Sequence, residues 1–123
     1  HNRRLLRYAE VLLIAAEALN ENGQSADALI YVDQVRERAR QGNNDILPDV
    51  TETGKDALRE LILKERRAEL AMEGVRFWDL VRTNKAAQLL GPLGFQSNKH
   101  ELLPIPQSEV DISQGTLTQN PGW

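Results

Sequence analysis

The segment RYAEVLLIAAEAL, residues 7–19, decides the fold class, because apolar and small side chains cover more than one face of the helix it predicts. The whole predicted helix runs over residues 5–22, and its alanines favour helix and let neighbouring helices approach closely. A helix that is apolar on two sides packs between neighbours rather than on a surface. Asn22 and Gly23 predict its end, since glycine accepts the left-handed conformation that follows a helix cap.

A second helix is predicted over residues 26–40, with Ser25 as its N-cap and Gly42 as its stop. Only a few residues separate it from the first helix, so the two must form an antiparallel hairpin, like one unit of a helix-turn-helix repeat. Its inner face carries an apolar stripe of Leu29, Val32, Val35 and Ala39. Its solvent face carries charged side chains three and four residues apart, namely Asp33, Arg36, Glu37 and Arg40.

Two further helical segments follow a polar loop. The third helix is predicted over residues 55–72, with Thr51 or Thr53 as its cap. A fourth is predicted over residues 75–83, with a short continuation over residues 85–90. The fold class is therefore all-α.

The last third of the sequence changes in composition. Residues 91–123 hold four of the five prolines and four of the eight glycines. Pro104 and Pro106 restrict the residues before them to extended geometry. We expect an extended tail packed over the helices, so that residues 1–123 form one domain. Its parts are a helical hairpin (1–42), further helices (53–90) and the wrapping tail (91–123).

Composition excludes several classes of protein. A length of 123 residues suits one domain, and 41% hydrophobic with 27% charged residues is typical of a folded chain. Net charge is −3, which argues against a nucleic-acid partner. The sequence has no run of 18 apolar residues, so we expect no helix in it to span a membrane. It has no cysteine and no glycine-rich phosphate loop, and we expect no cofactor. The helical pattern starts almost at His1, which indicates a piece of a longer protein.

Two carboxylates lie on the inner face of the third helix. Glu65 and Glu69 continue its apolar stripe one turn apart, where unpaired charge is costly. They could form a general acid/base pair or half of a carboxylate metal site. We favour a buried ion-pair network, because arginine matches carboxylates in a fixed fork and no Glu-x-x-His spacing exists. The predicted network is Arg7, Glu65, Glu69, Arg76, Asp79 and Arg82, with neither catalytic nor metal-binding residues.

The aromatic residues offer the only candidates for ligand contact. Phe77 and Trp78 are adjacent and must point in different directions on a helix, so one enters the core. Trp78 is a candidate sugar platform. Trp123 either clamps the tail or presents a stacking surface, and we favour the clamp. His100 is interpreted as a hydrogen-bonded structural residue. These residues alone do not identify a ligand.

Several blocks of the sequence occur in a recognisable order. The blocks are RYAEVLLIAAEAL (7–19), VRERA (35–39), ILKERRAELAMEGVRFWDLVR (62–82), LLPIPQSEV (102–110) and LTQNPGW (117–123). Together they resemble the C-terminal region of SusD/RagB proteins, a family of outer-membrane nutrient-binding lipoproteins of Bacteroidetes, and the resemblance covers nearly the whole chain. The residues that match the family's recurring motif are scaffold positions: Arg7, Glu10, Glu17, Glu65, Arg66, Arg67, Glu69, Glu73, Gly74, Arg76, Asp79, Arg82, Pro104 and Pro106.

The resemblance implies tetratricopeptide-like antiparallel helix pairs and a protein that is not an enzyme. It implies capture of an oligosaccharide or other nutrient and its transfer to a SusC-like TonB-dependent transporter, with this stretch acting mainly as helical scaffold. It also implies location at the cell surface of the outer membrane, with membrane attachment only through an N-terminal lipid anchor absent from this sequence.

The sequence departs from the family in two ways. It is several times shorter than family members, and the stretch between residues 90 and 100 is short where the family often carries a long loop. Two other functions stay open at this point. One is a stand-alone helical-repeat module for protein–protein interaction, and the other is a hydrolase that uses Glu65 and Glu69.

Overall fold

The computed structural model describes residues 5–52 and 54–123, and over these ranges it is helical and contains no strand, which confirms the all-α prediction. The helices of this part of the chain are α1 (Tyr8–Glu21), α2 (Ser25–Arg40), α3 (Lys55–Glu69), α4 (Arg76–Arg82), α5 (Ala86–Leu90) and α6 (Gln107–Ile112). A single turn of 3-10 helix, Gly91–Leu93, follows α5 directly. No helix of the described residues is long and apolar enough to span a lipid bilayer.

The chain divides into two compact units, residues 1–76 and residues 77–123. In the first unit, α1 packs against both α2 and α3 through the side that carries Ala9, Leu13 and Ala16. The sequence predicted packing on more than one side, but Tyr8, Val11 and Ile14 are exposed. The core lies at the contacts of α1 with α2 and α3 and falls into two adjoining groups of buried side chains. One group is Ala16, Ala28, Val32, Val50, Leu58 and Ile62, and the other is Ala9, Leu12, Leu13 and Val35.

A buried amide ties the three helices of the first unit together at one end. Asn20, near the end of α1, is fully buried. Its Nδ2 donates a hydrogen bond to the Lys55 carbonyl at 2.8 Å, and its Oδ1 accepts one from the Ser25 hydroxyl at 2.8 Å. Ser25 was expected to be the cap of α2, but Gln24 occupies the cap position, because the Ser25 hydroxyl is engaged with Asn20.

The ends of α3 also differ from the sequence prediction. Gly54 occupies the N-cap position and makes no side-chain cap. Of the two predicted caps, Thr53 lies outside the described residues, and Thr51 lies upstream of the cap position. The helix ends at Glu69 rather than at residue 72. Met72, with a φ of 67°, and Gly74, with a φ of 83°, have left-handed backbone conformations in the segment between α3 and α4.

The second unit contains helices that the composition of residues 91–123 did not indicate. Pro106 stands at the N-cap of α6, where the absence of its N–H costs no helical hydrogen bond. Residues 103–106 lack regular secondary structure, and Gln119 binds there: its Oε1 accepts from the Ile105 amide at 2.7 Å and its Nε2 donates to the Ile105 carbonyl at 2.8 Å. The wrapping of the tail over the helices and the single-domain organisation of residues 1–123 stay predictions.

Candidate functional site: an ion-pair network and an aromatic cavity

The two inward carboxylates of α3 each meet arginine. Glu65 Oε1 lies 3.0 Å from Arg36 Nε, and these side chains are only 17% and 16% exposed. Glu69 Oε1 lies 2.5 Å from Arg7 Nη1 and 2.7 Å from Arg38 Nη2. Because both carboxylates lie against guanidinium groups, their geometry is that of ion pairs between helices.

Arg7 holds the start of α1 to the end of α3. Its Nε lies 2.9 Å from both carboxylate oxygens of Glu73, and Nη2 donates to the Glu69 carbonyl. Hydrogen bonds to Glu73 and Glu69 raise the pKa of Arg7 above its ordinary value, and the same contact lowers the pKa of Glu73. A cation at the carboxyl end of a helix also interacts favourably with the helix dipole.

The sequence assigned Arg36 to the solvent face of α2, and the structure shows that this was wrong. The Arg36 guanidinium contacts Glu65, and its Nη1 donates to the Pro48 carbonyl at 2.7 Å. Arg36 follows Val32 by one helical turn, so it lies at the edge of the inner stripe. That spacing is the signal that could have assigned Arg36 to the α2–α3 contact.

Other charged residues of α2 bind the polar loop that follows it. Arg40 Nη2 lies 2.5 Å from Asp49 Oδ1, and its Nε donates to the Leu47 carbonyl at 2.6 Å. Asp33 Oδ1 accepts a hydrogen bond from the Val50 amide at 3.1 Å. These contacts place the buried side chain of Val50 against the core.

The remaining members of the predicted network lie on α4. Asp79 is buried, and its Oδ1 accepts hydrogen bonds from Arg82 Nε at 3.0 Å and Nη2 at 2.8 Å. This pair belongs to the second unit, whereas Arg76, the first residue of α4, belongs to the first unit. The structure therefore brings Arg7 and Glu69 together, and pairs Asp79 with Arg82. The role of the six residues as one structural network stays a prediction.

A cavity of about 410 Å³ lies within the second unit. Its walls are predominantly aromatic and aliphatic. The lining residues are Phe77, Leu90, Leu93, Gly94, Phe95, His100, Leu102, Leu103 and Trp123. Such a wall offers dispersion and ring stacking to a ligand, but few groups for proton transfer.

Four rings of this lining contact one another in sequence. The centroids of Phe77 and Phe95 are 6.3 Å apart, those of Phe95 and His100 are 5.7 Å apart, and those of His100 and Trp123 are 5.8 Å apart. His100 Nδ1 accepts a hydrogen bond from the Gln96 amide at 3.0 Å. Phe95 is the ring that sequence reasoning missed, because it lies in an irregular segment where no periodicity indicates its direction.

Trp123 and Trp78, the predicted candidates for ligand contact, have different surroundings. The indole Nε1 of Trp123 is 3.1 Å from the carbonyls of both Lys99 and Leu102, and Lys99 Nζ lies 4.5 Å from the ring centroid. Trp78 meets Phe77 edge to face at 5.1 Å and is not among the cavity-lining residues. Both indoles are about half exposed. Their contact with a ligand stays a prediction.

No group of three or more acidic or histidine side chains that could hold a metal ion occurs in residues 5–52 and 54–123. The first unit consists of helices joined by ion pairs between arginine and glutamate. The second consists of short helices and irregular segments that line an aromatic cavity. Both units are those of an all-α protein. The model of the SusD family matches residues 1–123, and the chain belongs to that family.

Similar proteins support this assignment. SusD-like protein P2 of Formosa agariphila is 42% identical over 127 residues, which cover 96% of this chain and 25% of that protein. A SusD-like protein from Bacteroides fragilis is 34% identical, with a TM-score of 0.81 over 97% of this chain and 25% of that one. A laminarin-binding SusD-like protein is 43% identical, with a TM-score of 0.76 over 96% of this chain and 22% of that one. The chain thus spans about a quarter of the length of these relatives.

Proposed function

We propose that the full-length protein binds a glycan nutrient, and that residues 1–123 serve mainly as its helical scaffold. The observation that carries this proposal is the likeness to the laminarin-binding SusD-like protein, at 43% identity over 96% of the chain. Family membership supports the wider setting. In that setting the protein acts at the outer-membrane surface, is held by an N-terminal lipid anchor, and passes its ligand to a SusC-like TonB-dependent transporter.

The contacts of the first unit support the scaffold role. Arg7, Arg36 and Arg38 link the elements around α1, α2 and α3 through Glu65, Glu69 and Glu73. Carboxylates paired with arginine, as Glu69 is with both Arg7 and Arg38, are suited to fixing helix positions. They are poorly suited to acid/base work, in which a carboxyl group must exchange a proton with substrate. We therefore propose binding without catalysis.

Glycan binding is tested with the full-length protein by calorimetric titration with laminarin oligosaccharides and, as a matched control, with maltooligosaccharides of equal length. We expect saturable binding of at least one glycan class, and no new reducing ends after prolonged incubation. Failure of every glycan on a broad array to bind would overturn the proposal of glycan binding. Glycan turnover that is lost in Glu65→Gln, with the fold intact, would overturn the proposal of a binding protein.

The scaffold role is tested separately with Trp78→Ala and Trp123→Ala in the same protein. Stacking on an aromatic ring contributes about 0.5–1.5 kcal/mol beyond area burial, so loss of a platform weakens binding by up to about tenfold. We expect the dissociation constant to stay within twofold of the parent, roughly 0.4 kcal/mol. A tenfold loss in either folded variant would show that this stretch contacts the glycan.

The transporter is tested by affinity purification of the full-length lipoprotein from solubilised outer membranes. We expect a TonB-dependent transporter to co-purify in stoichiometric amount. Recovery of the lipoprotein without a transporter, under conditions in which a known pair of this kind stays together, would contradict this part of the proposal.

A further inference from the structure

The connection between α1 and α2 contains an asparagine followed directly by glycine. Asn22 occupies the C-cap position of α1, and Gly23 follows it with a φ of 81°. Both residues are exposed. Asn22 is the one asparagine of the sequence that precedes glycine. A Cβ placed on Gly23 would meet no atom within 4 Å, so open space lies beside the bond that joins the two residues.

This pair of residues has the chemistry for ring closure within the main chain. The Gly23 nitrogen, once it has lost its proton, attacks Cγ of Asn22, and Nδ2 of Asn22 leaves as ammonia, so that a five-membered succinimide forms. Water then opens the ring at Cγ, which leaves aspartate, or at the main-chain carbonyl carbon of Asn22, which leaves isoaspartate. Each conversion consumes one water, releases one ammonia and adds one carboxylate. Glycine reaches the ring-closing conformation more freely than any residue with a Cβ.

Hydrogen bonds at the end of α1 engage the nitrogen that must react. The Gly23 amide donates to the Asn20 carbonyl at 3.1 Å, and the next amide, that of Gln24, donates to the Leu19 carbonyl at 2.8 Å. The ψ of Asn22 is 5°, so its main chain stays folded back on the helix. Ring closure must therefore await opening of this turn, and helix ends open at a lower free-energy cost than the core.

We propose that Asn22 and Gly23 form a site of spontaneous deamidation, and that the buried side chain of Asn20 controls its rate. Asn20 lies two residues before Asn22, and its amide is held by the Lys55 carbonyl and the Ser25 hydroxyl, both at 2.8 Å. Ser25 lies two residues beyond Gly23, so its hydrogen bond to Asn20 spans the reacting pair. That bond keeps the turn closed and limits how often the Gly23 nitrogen becomes available.

The product changes the end of α1 in two ways. Isoaspartate carries the main chain through its former side chain, so the connection between α1 and α2 gains one carbon. It also places a carboxylate at the carboxyl end of α1, where the helix dipole disfavours an anion. We expect hydrogen exchange at the Gln24 amide to be faster in the modified protein than in the parent. Equal exchange in the two forms would contradict this consequence.

Incubation of the folded full-length protein in mildly alkaline buffer, followed by peptide mapping with electron-transfer fragmentation, measures modification at each asparagine. Asn98, which is exposed and precedes Lys99, is the control within the same chain. We expect isoaspartate at residue 22 to form at least about tenfold faster than at residue 98, because only glycine closes the ring without hindrance from a Cβ. Equal rates would overturn the proposal. It would also be overturned if residue 22 were modified in urea but not in the folded protein.

Control by Asn20 is tested with Ser25→Ala, which removes the hydroxyl that donates to Asn20 Oδ1. Loss of one hydrogen bond should ease opening of the turn and speed modification at residue 22 about fivefold. Asp27→Ala, an exposed change in the first turn of α2, is the matched control, and its rate should stay within about twofold of the parent. An unchanged rate in Ser25→Ala, or an equal rise in Asp27→Ala, would overturn the role assigned to Asn20.

Discussion

The two compact units differ in what holds them together. Twelve of the fourteen buried hydrophobic residues in the described chain lie in the first unit, and only Leu80 and Ala86 lie in the second. The first unit is stabilised by buried apolar contacts between helices and by ion pairs. The second relies on ring contacts and on side chains that bind the backbone, such as Gln119 with Ile105. Substitutions in the first unit should therefore lower global stability, whereas those in the second should act locally.

The largest effect is expected from emptying the core of the first unit. Ile62 on α3 is fully buried. Ile62→Ala should lower the free energy of unfolding by about 4 kcal/mol, because it removes buried methyl groups and leaves a cavity. Denaturation by urea, followed by circular dichroism, measures the loss.

Leu93→Ala in the second unit is the control for this measurement, because Leu93 is 81% exposed. It should change stability by no more than about 0.5 kcal/mol. Similar losses for the two variants would break the distinction between a packed unit and one held by local contacts.

The next effect is expected from the carboxylate that α3 directs towards α2. Glu65→Ala leaves the Arg36 guanidinium without its carboxylate in a site where both side chains are largely buried. The loss should be about 3 kcal/mol, at the lower end for breaking a buried pair, since some solvent reaches the site. Thermal and urea unfolding report it.

Glu37→Ala, on the exposed side of α2, is the matched control and should be nearly neutral. The double variant Glu65→Ala/Arg36→Ala should lose less than the sum of the two single variants, since neither charge is then left alone. An unchanged melting temperature in Glu65→Ala would show that this ion pair does not stabilise the first unit.

A smaller and local effect is expected in the second unit. Gln119→Ala removes both hydrogen bonds to Ile105 and the one from the Asn120 amide to Oε1 at 2.9 Å. The loss should be about 1–2 kcal/mol. Hydrogen exchange at the Ile105 amide should accelerate, while the amides of α1 and α3 keep their protection.

Gln107→Ala is the control from the same unit, because the Gln107 amide makes an exposed bond to Asp111 at 2.8 Å. It should leave exchange at Ile105 unchanged. If Gln119→Ala instead accelerated exchange throughout the first unit, the two units would unfold as one, and the comparison between them would fail.

The smallest effect is expected for the dependence of stability on acidic pH, through Glu21 at the end of α1. Hydrogen bonds from Arg59, followed by those from Lys55, lower the pKa of Glu21 from its ordinary 4.5 to about 2. A carboxyl group whose pKa is lowered by folding adds stability above its unfolded pKa. That stability disappears as the pH falls from about 4.5 to about 2.

The contribution of Glu21 should be below about 1 kcal/mol, because the side chain is 40% exposed and solvent screens the pair. Glu21→Gln should flatten the dependence of stability on pH between 5 and 2, and 1 M salt should reduce the difference from the parent. A slope that is the same in both proteins at low salt would contradict the assignment.

The sequence predicted the first unit better than the second, for a physical reason. Helical periodicity, together with Gly23 and Gly42, gave α1 and α2 to within a few residues. The inward position of Glu65 and Glu69 also followed from periodicity. The spacing of Arg36 after Val32 could have placed it at the edge of the inner stripe of α2. Its pairing with Glu65 could not be predicted, because the hydrophobic stripe of one helix does not specify which residue of another helix lies opposite.

The aromatic cavity could not be predicted in the same way. Phe95 and His100 lie in irregular backbone, where side-chain direction depends on each turn rather than on a repeat. The α6 helix has only six residues, too few for a periodic signal. The resemblance to a family indicated the class of protein, a nutrient-binding protein, which neither periodicity nor composition could indicate.

The two hydrogen bonds between the Gln119 side chain and the Ile105 backbone determine where residues can be inserted into or deleted from the second unit. The Gln119 amide both accepts from the Ile105 N–H and donates to the Ile105 carbonyl, as the backbone of a paired strand would. These bonds close the loop between the two residues, which contains α6. Once the ends of a loop are fixed, doubling its length adds only about 0.6 kcal/mol of closure cost. Extra residues inserted near Gly115 should therefore be tolerated. A deletion or insertion between Gln119 and Trp123 would move the indole away from the Lys99 and Leu102 carbonyls that hold it.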